Sequence, residues 1–311
     1  RTGKTMDMMV IIETMVKLLL LMALGFFLNK LGIFSRESNR MLSDLIVKVT
    51  TPLLIISSVC ETGGEELNRL SILPVLGGAF ILYLALIAAG ELIARLPFFP
   101  KTERDATACM LVFSNNSFMG IPVLESLYGS SSIFYNSIIN FPFFIFLFTY
   151  GVFRLSGGKQ KFNLKSILTP GVISALVALV IFLTGVQLPE IIVDTCDMVG
   201  GVTSSLSMMV LGSTVAMYPL GKTLADWRSY IFSAFRLLAL PALALLACRL
   251  LQIDSYYTGI VTISCAMPVA SMVLMVAEQN GLDTSQVSRT TLVSTLLSVV
   301  TIPLFVALLS V

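Results

Sequence analysis

The chain has 311 residues, of which 56% are hydrophobic and only 12% charged. Soluble domains carry about a quarter charged residues, so a soluble domain of any size is excluded and a lipid bilayer is the expected surroundings. The formal net charge of +2 is read as a signal of topology, and nucleic acid is not expected as a partner.

An apolar stretch of roughly 20 residues spans a bilayer as a helix, and ten are read along the chain. The first, at about 7–29, follows Arg1 and Lys4; it is longer than a signal-peptide core and no small-x-small cleavage site follows it, so it is expected to be retained. Its Glu13 and Lys17 stand four apart, as do Asp44 and Lys48 in the second span (41–60) and Glu91 and Arg95 in the third (70–95). With the acid first, each pair can neutralise itself on one helix face.

The fourth span (104–128) is interrupted by Ser114-Asn115-Asn116-Ser117-Phe118-Met119-Gly120-Ile121-Pro122, with Glu125 three residues further on. The fifth (132–154) carries Asn140 and Pro142, a polar residue beside a kink that suits either a site or a purely structural role. The sixth and seventh follow at 167–187 and 190–218. Asp194 and Asp197, three apart near the outer end of the seventh, read as a proton carrier or sodium ligand, or as a solvated helix end. Arg236 lies about two turns into the eighth span (228–251), and a buried arginine needs a partner. A substrate carboxylate and an acid from another helix both fit that requirement. The ninth span (256–278) is interrupted by Ser264-Cys265-Ala266-Met267-Pro268, and the tenth runs over 287–310.

The five cysteines stand singly in apolar stretches and are expected to be packing residues. The chain has no histidine, which removes the commonest metal ligand, general base and near-neutral proton carrier. No cofactor or metal is expected, and coupling to H+ would have to use carboxylates or water. With no metal-binding cluster, phosphate-binding loop or paired catalytic aspartates in two facing helices, an enzyme is not expected.

Lysines and arginines give the orientation. Loops after odd-numbered spans hold thirteen (Lys30, Arg36, Arg40, Arg95, Lys101, Arg104, Arg154, Lys159, Lys161, Lys165, Lys222, Arg228 and Arg289), against four on the other side (Arg1, Lys4, Arg69 and Arg249). The odd loops are therefore expected in the cytoplasm and both termini outside. The basic stretch 156–166 reads as a cytoplasmic linker between a first half, 1–155, and a second, 167–311. Five spans in each half force the second to enter the membrane with the opposite orientation, the arithmetic of an inverted repeat.

A proline-interrupted span cannot satisfy its own backbone at the break. Pro122 and Pro268 each suit the first position of a new helix, so each break is expected to present a helix N-terminus at mid-membrane. Two such termini facing one spot favour an anion, most simply a carboxylate. Asn115 and Asn116 add amide donors and acceptors and project about 100° apart on a helix, so one faces a cavity while the other ties the backbone together.

Asn115 to Pro122 with Tyr128-Gly129, and Ala266-Met267-Pro268-Val269-Ala270 running to Glu278-Gln279-Asn280-Gly281, resemble the auxin efflux carrier family over essentially the whole chain. Thr51-Pro52-Leu53-Leu54, Leu211-Gly212-Ser213 and Arg236 before Leu240-Pro241 are lesser matches. The resemblance implies an all-α integral membrane fold of ten transmembrane helices as two inverted five-helix repeats, with broken crossing helices four and nine. It is similar to the fold of bile-acid sodium symporters, and it suggests a homodimer. The chain lacks the long cytoplasmic loop of the plant auxin carriers and resembles the short, bacterial-type branch, associated with small organic acids.

The expected function is secondary transport of a small organic anion, a mono- or dicarboxylate, across the cell membrane by elevator-like movement. Asn115, Asn116, Gly120, Pro122, Asn140, Arg236, Ala266, Met267 and Pro268 are the expected substrate residues, and Glu125, Asp194 and Asp197 the candidates for H+ or Na+ coupling. The alternatives are a sodium-coupled symporter of an amphipathic acid and a membrane ligand sensor without transport.

Overall fold

In hydrocarbon a backbone amide finds no water, so an apolar chain satisfies its amides inside helices. A computed structural model describes residues 8–61, 72–158, 168–217, 225–279 and 284–309, and among them helices are joined by turns and a single isolated bridge. In chain order the helices are α1 (Met8–Lys30), α2 (Arg36–Cys60), α3 (Ile72–Ile93), α4 (Arg104–Val112), α5 (Ile121–Tyr128) and α6 (Ser131–Leu155). They continue with α7 (Pro170–Thr184), α8 (Glu190–Ala216), α9 (Trp227–Leu250), α10 (Ser255–Ala266), α11 (Ser271–Gln279) and α12 (Ser285–Leu309). Among the described residues, the six helices α2, α3, α6, α8, α9 and α12 are long and apolar enough to cross a membrane. Large apolar side chains point outward, as lipid-facing ones must: on α3, Leu73 is 78% exposed and Ile81 70%. The chain is a multi-pass membrane protein.

Four turns are of the wider π type: Ile46–Thr50 in α2, Asn116–Gly120 before α5, Leu147–Gly151 in α6 and Phe235–Ala239 in α9. Three of these stand two residues before a proline, at Pro52, Pro122 and Pro241. A proline ring collides with the carbonyl four residues back, and a π turn at that point opens the space. Pro122 does stand in the first turn of α5, as expected, although the helical path does not begin there. The helical path starts at Asn116 and runs through the π turn into α5. Pro268, by contrast, does not begin a helix, since it lies in extended chain ahead of α11.

The helices pack as two groups. In the first, α1 lies along α8, and α2 packs on α7 and α8. Gly25 and Gly212 set the α1–α8 approach: a side chain at Gly25 would collide with the Met209 backbone, and one at Gly212 with the Met22 backbone. The small residues let two backbones touch, as in other membrane helix pairs. Thr203 donates to Thr50 at 2.8 Å across the α2–α8 contact. In the second group, α3 packs on α4 and α6, while α9 packs on α10 and α12. Contacts of α6 with α2 and α7, of α12 with α1, and of the Asn116–Gly120 turn with α8 join the groups.

The pairs Glu13–Lys17 (2.7 Å) and Asp44–Lys48 (2.8 Å) form as their spacing predicts. Glu91 does not pair closely with Arg95, which stays 3.9 Å away and exposed. Instead Arg154, at the end of α6, reaches Glu91 at 2.7 Å and Asp105 at 3.0 Å, and the Tyr150 hydroxyl donates to Glu91 at 2.6 Å. Partners from another helix sit in a half-buried, less screened position, and they win over the exposed partner on the same helix. Cys109, Cys196, Cys248 and Cys265 are buried and free, as packing residues would be. Most of the 156–166 linker lies outside the described residues.

Candidate substrate site

The site is built where α4 and α10 end. Phe113 is extended (φ −96°, ψ 111°), and so is Met267 (φ −66°, ψ 147°). The two linking segments then pair antiparallel: the Asn115 amide donates to Pro268 O at 2.8 Å, the Ala270 amide donates to Phe113 O at 3.0 Å, and Ser114 bridges Val269. Each interruption thus supplies the backbone partners that the other lost. Asn115 O accepts from the amides of Met119 and Gly120, at 3.2 and 3.0 Å, which starts the next turn. Asn136 Nδ2 donates to Asn116 O at 3.4 Å, and the Val269 amide donates to Ser294 Oγ at 3.4 Å.

Arg236 is fully buried, and its Nη1 donates to Cys265 O at 3.1 Å, one of the last carbonyls of α10. A cation there is favoured by the negative end of the helix dipole. Its Nε and Nη2 have no hydrogen-bond partner among the described residues.

Against the crossing lies a cavity of about 40 Å³. The crossing contributes Ser114, Asn115, Ser117 and Phe118, the start of α11 contributes Ser271 and Met272, and α6 contributes Asn136, Ser137, Asn140, Phe141 and Phe144. The opposite wall comes from the first group, with Thr51 and Ile55 of α2 and Gly171 and Val172 of α7. The cavity therefore lies between the two helix groups. Ser117 and Phe118 open one helical segment and Ser271 and Met272 another. Amides in a first turn have no intrahelical acceptor and sit at the positive end of the dipole. The walls also hold buried polar atoms with no partner among the described residues: Asn115 Nδ2, Asn136 Oδ1, Asn140 Oδ1 and Thr51 Oγ1.

Of the residues predicted for the substrate, Asn115 and Asn140 line this cavity. Asn116, Gly120, Pro122, Ala266, Met267 and Pro268 are buried in the crossing behind it. A Cβ at Gly120 would meet the Asn116 side chain at 3.4 Å and Met267 Cγ at 3.6 Å, ordinary packing distances. The Asn116 side chain does not tie the backbone; its amide atoms have no partner at hydrogen-bond distance among the described residues, and Asn136 does the tying. Arg236 stands outside the cavity wall, on a backbone carbonyl. Glu125 is half-buried and accepts from Ser204 Oγ of α8 at 2.7 Å, a bond that joins α5 to the first group. Asp194 and Asp197 are exposed on α8.

Thr51, Ser117, Asn136, Ser137 and Ser271 were not among the residues predicted for the substrate, though Thr51 and Ser117 lie in segments that the sequence marked. The signal for Asn136 was there: Asn136, Ser137 and Asn140 form a polar stripe with i, i+4 spacing on an otherwise apolar helix.

An all-helical, multi-pass membrane protein with a polar cavity between two helix groups has the architecture of a membrane transport protein. The chain belongs to the family described as membrane transport protein, whose profile matches residues 10–306; this is the auxin efflux carrier family that Asn115–Pro122 and Ala266–Ala270 resemble. Among its relatives, an uncharacterized transporter of Methanothermobacter thermautotrophicus is 26% identical, the match covering 94% of this chain and 96% of the relative. One of Methanocaldococcus jannaschii is 22% identical over 96% and 98%, and the uncharacterized transporter YfdV of Escherichia coli 23% over 95% and 96%.

Proposed function

We propose that this protein is a secondary active transporter of a small organic anion, bound where the segments 113–115 and 268–270 cross. The observation that carries this reading is the convergence of two helix-opening turns, Ser117–Phe118 and Ser271–Met272, on one cavity with Asn115 between them. Two partial positive charges and free amides serve a carboxylate without a bound metal.

The fold is read as ten spans in two inverted repeats, with the fourth and ninth broken. In support, the pairing of α3 with α4 and α6 recurs as the pairing of α9 with α10 and α12. The second helix group carries the crossing and is the moving body; the first is the frame against which it slides. A cavity walled by both bodies is exposed to one side or the other as they shift. The positive-inside distribution supports both termini lying outside the cell membrane.

Glu125 is the proposed proton carrier, since it faces the frame through Ser204 and the chain has no histidine. Glu125→Gln is expected to abolish the dependence of uptake on a pH gradient while gradient-independent counterflow persists. An unchanged pH dependence in reconstituted liposomes would remove Glu125 from coupling. The main test is uptake of labelled malate, malonate, lactate and indole-3-acetate into liposomes holding the purified protein, with and without pH and sodium gradients. Saturable uptake is the expected result, and the gradient that drives it names the ion. Failure of every acid, with folded protein, would leave the ligand-sensor reading.

A further inference from the structure

We infer that the preferred substrate is a short 2-hydroxy monocarboxylate, of the size of lactate or glycolate. This rests on the anion-carrier reading above and narrows it.

Charge sets the first limit. No lysine or arginine lines the cavity among the described residues. One carboxylate is served by the first-turn amides and by Asn115 Nδ2. A second would be set against Phe141, Phe143, Phe144 and Ile133, where nothing replaces its lost hydration.

Hydrogen-bond polarity sets the second. Asn136 Nδ2 donates to Asn116 O, which fixes the side-chain amide: a flipped amide would put two acceptors face to face. Asn136 Oδ1 is then an acceptor, and it has no donor among the described residues. Asn140 Oδ1, one helical turn along the same face, is a second unpartnered acceptor. All three asparagines are more than nine-tenths buried, with Asn115 4%, Asn136 1% and Asn140 6% exposed. A carboxylate cannot satisfy an acceptor, so a ligand that carries a donor next to its anionic end is the one that fits this wall. A hydroxyl on the adjacent carbon supplies that donor. An ammonium would too, but it would carry a charge into a wall that holds no carboxylate among the described residues.

Volume sets the third. About 40 Å³ is room for roughly three waters, which favours the smallest acids over an indole ring.

A site that hydrogen-bonds a substrate hydroxyl rejects the analogue without it, because its own polar group is left unpaired. The test is competitive uptake of lactate, propionate and malate into liposomes holding wild-type protein, together with thermal stabilisation of the detergent-purified protein by each acid. Lactate is expected to be taken up at least about tenfold more efficiently than propionate, with malate no better than propionate, and the stabilisation to follow the same order. In Asn136→Leu the lactate-to-propionate ratio should fall towards one; if that variant does not fold, the wild-type ratio alone decides. Equal use of propionate and lactate, or a preference for malate, would overturn the assignment while leaving an anion carrier in place. Uptake of no acid at all would overturn the carrier reading beneath it.

Discussion

Asn115→Ala is expected to weaken binding of the transported anion by about tenfold to a hundredfold, with expression and monodispersity intact. Two separate roles of Asn115 make this a clean experiment. Its backbone amide holds the crossing through Pro268 O at 2.8 Å, and alanine keeps that amide. Its side-chain Nδ2 has no partner among the described residues, so its loss breaks no bond inside the fold. A hydrogen bond to a charged group contributes about 1.5–3 kcal/mol, and each 1.4 kcal/mol is about tenfold in affinity. The measurement is the concentration dependence of uptake, or of thermal stabilisation by the acid. Wild-type affinity in the variant would take Asn115 out of the binding site.

Gly212→Leu is expected to be the most damaging single substitution in the frame. The obstacle at this position is the backbone of Met22, and the reciprocal obstacle at Gly25 is the backbone of Met209. A side-chain clash can be relieved by a new rotamer; a backbone clash displaces the whole of α1. Overpacking that neighbours can absorb costs about 1–3 kcal/mol, and this change should exceed that range. The expected readout is loss of the monodisperse peak on gel filtration in detergent. Gly77→Leu is the control, since a Cβ at Gly77 would meet nothing within 4 Å. A Gly212→Leu protein that elutes and melts like Gly77→Leu would mean that α1 does not lie on α8 as described.

Hydrophobic run length was enough to place the long unbroken helices. The stretch 70–95 became Ile72–Ile93 and 228–251 became Trp227–Leu250, because solvent choice alone decides where a span can end. The location of the crossing was legible too, in two runs that end in proline. Its construction was not. Asn115 stands in the link ahead of the helix (φ −79°, ψ 58°) and not in it, so a 100° projection does not describe it, and the π turn that Asn116 opens is marked in the sequence only by Pro122 two residues beyond its end. Arg236 shows the same limit: among the described residues its hydrogen-bond partner is the carbonyl of Cys265, and a backbone acceptor on another helix leaves no mark in the sequence. Asn136 was missed although it shares a polar stripe with Ser137 and Asn140; its tether to Asn116 O shows what the stripe is for.

The pairing of residues 113–115 with 268–270 also bears on how the protein is made. The first half of the chain leaves the ribosome with Ser114, Asn115 and Asn116 in an interrupted segment whose backbone partners have not yet been synthesised. Until α10 and α11 are inserted, that segment must be held by water, by lipid headgroups or by the insertion machinery. Closing so long a loop is slow, and the unpaired intermediate is exposed to misassembly. Retarded synthesis between α6 and α10 should therefore lower the yield of folded carrier, even though every helix in the first half is complete.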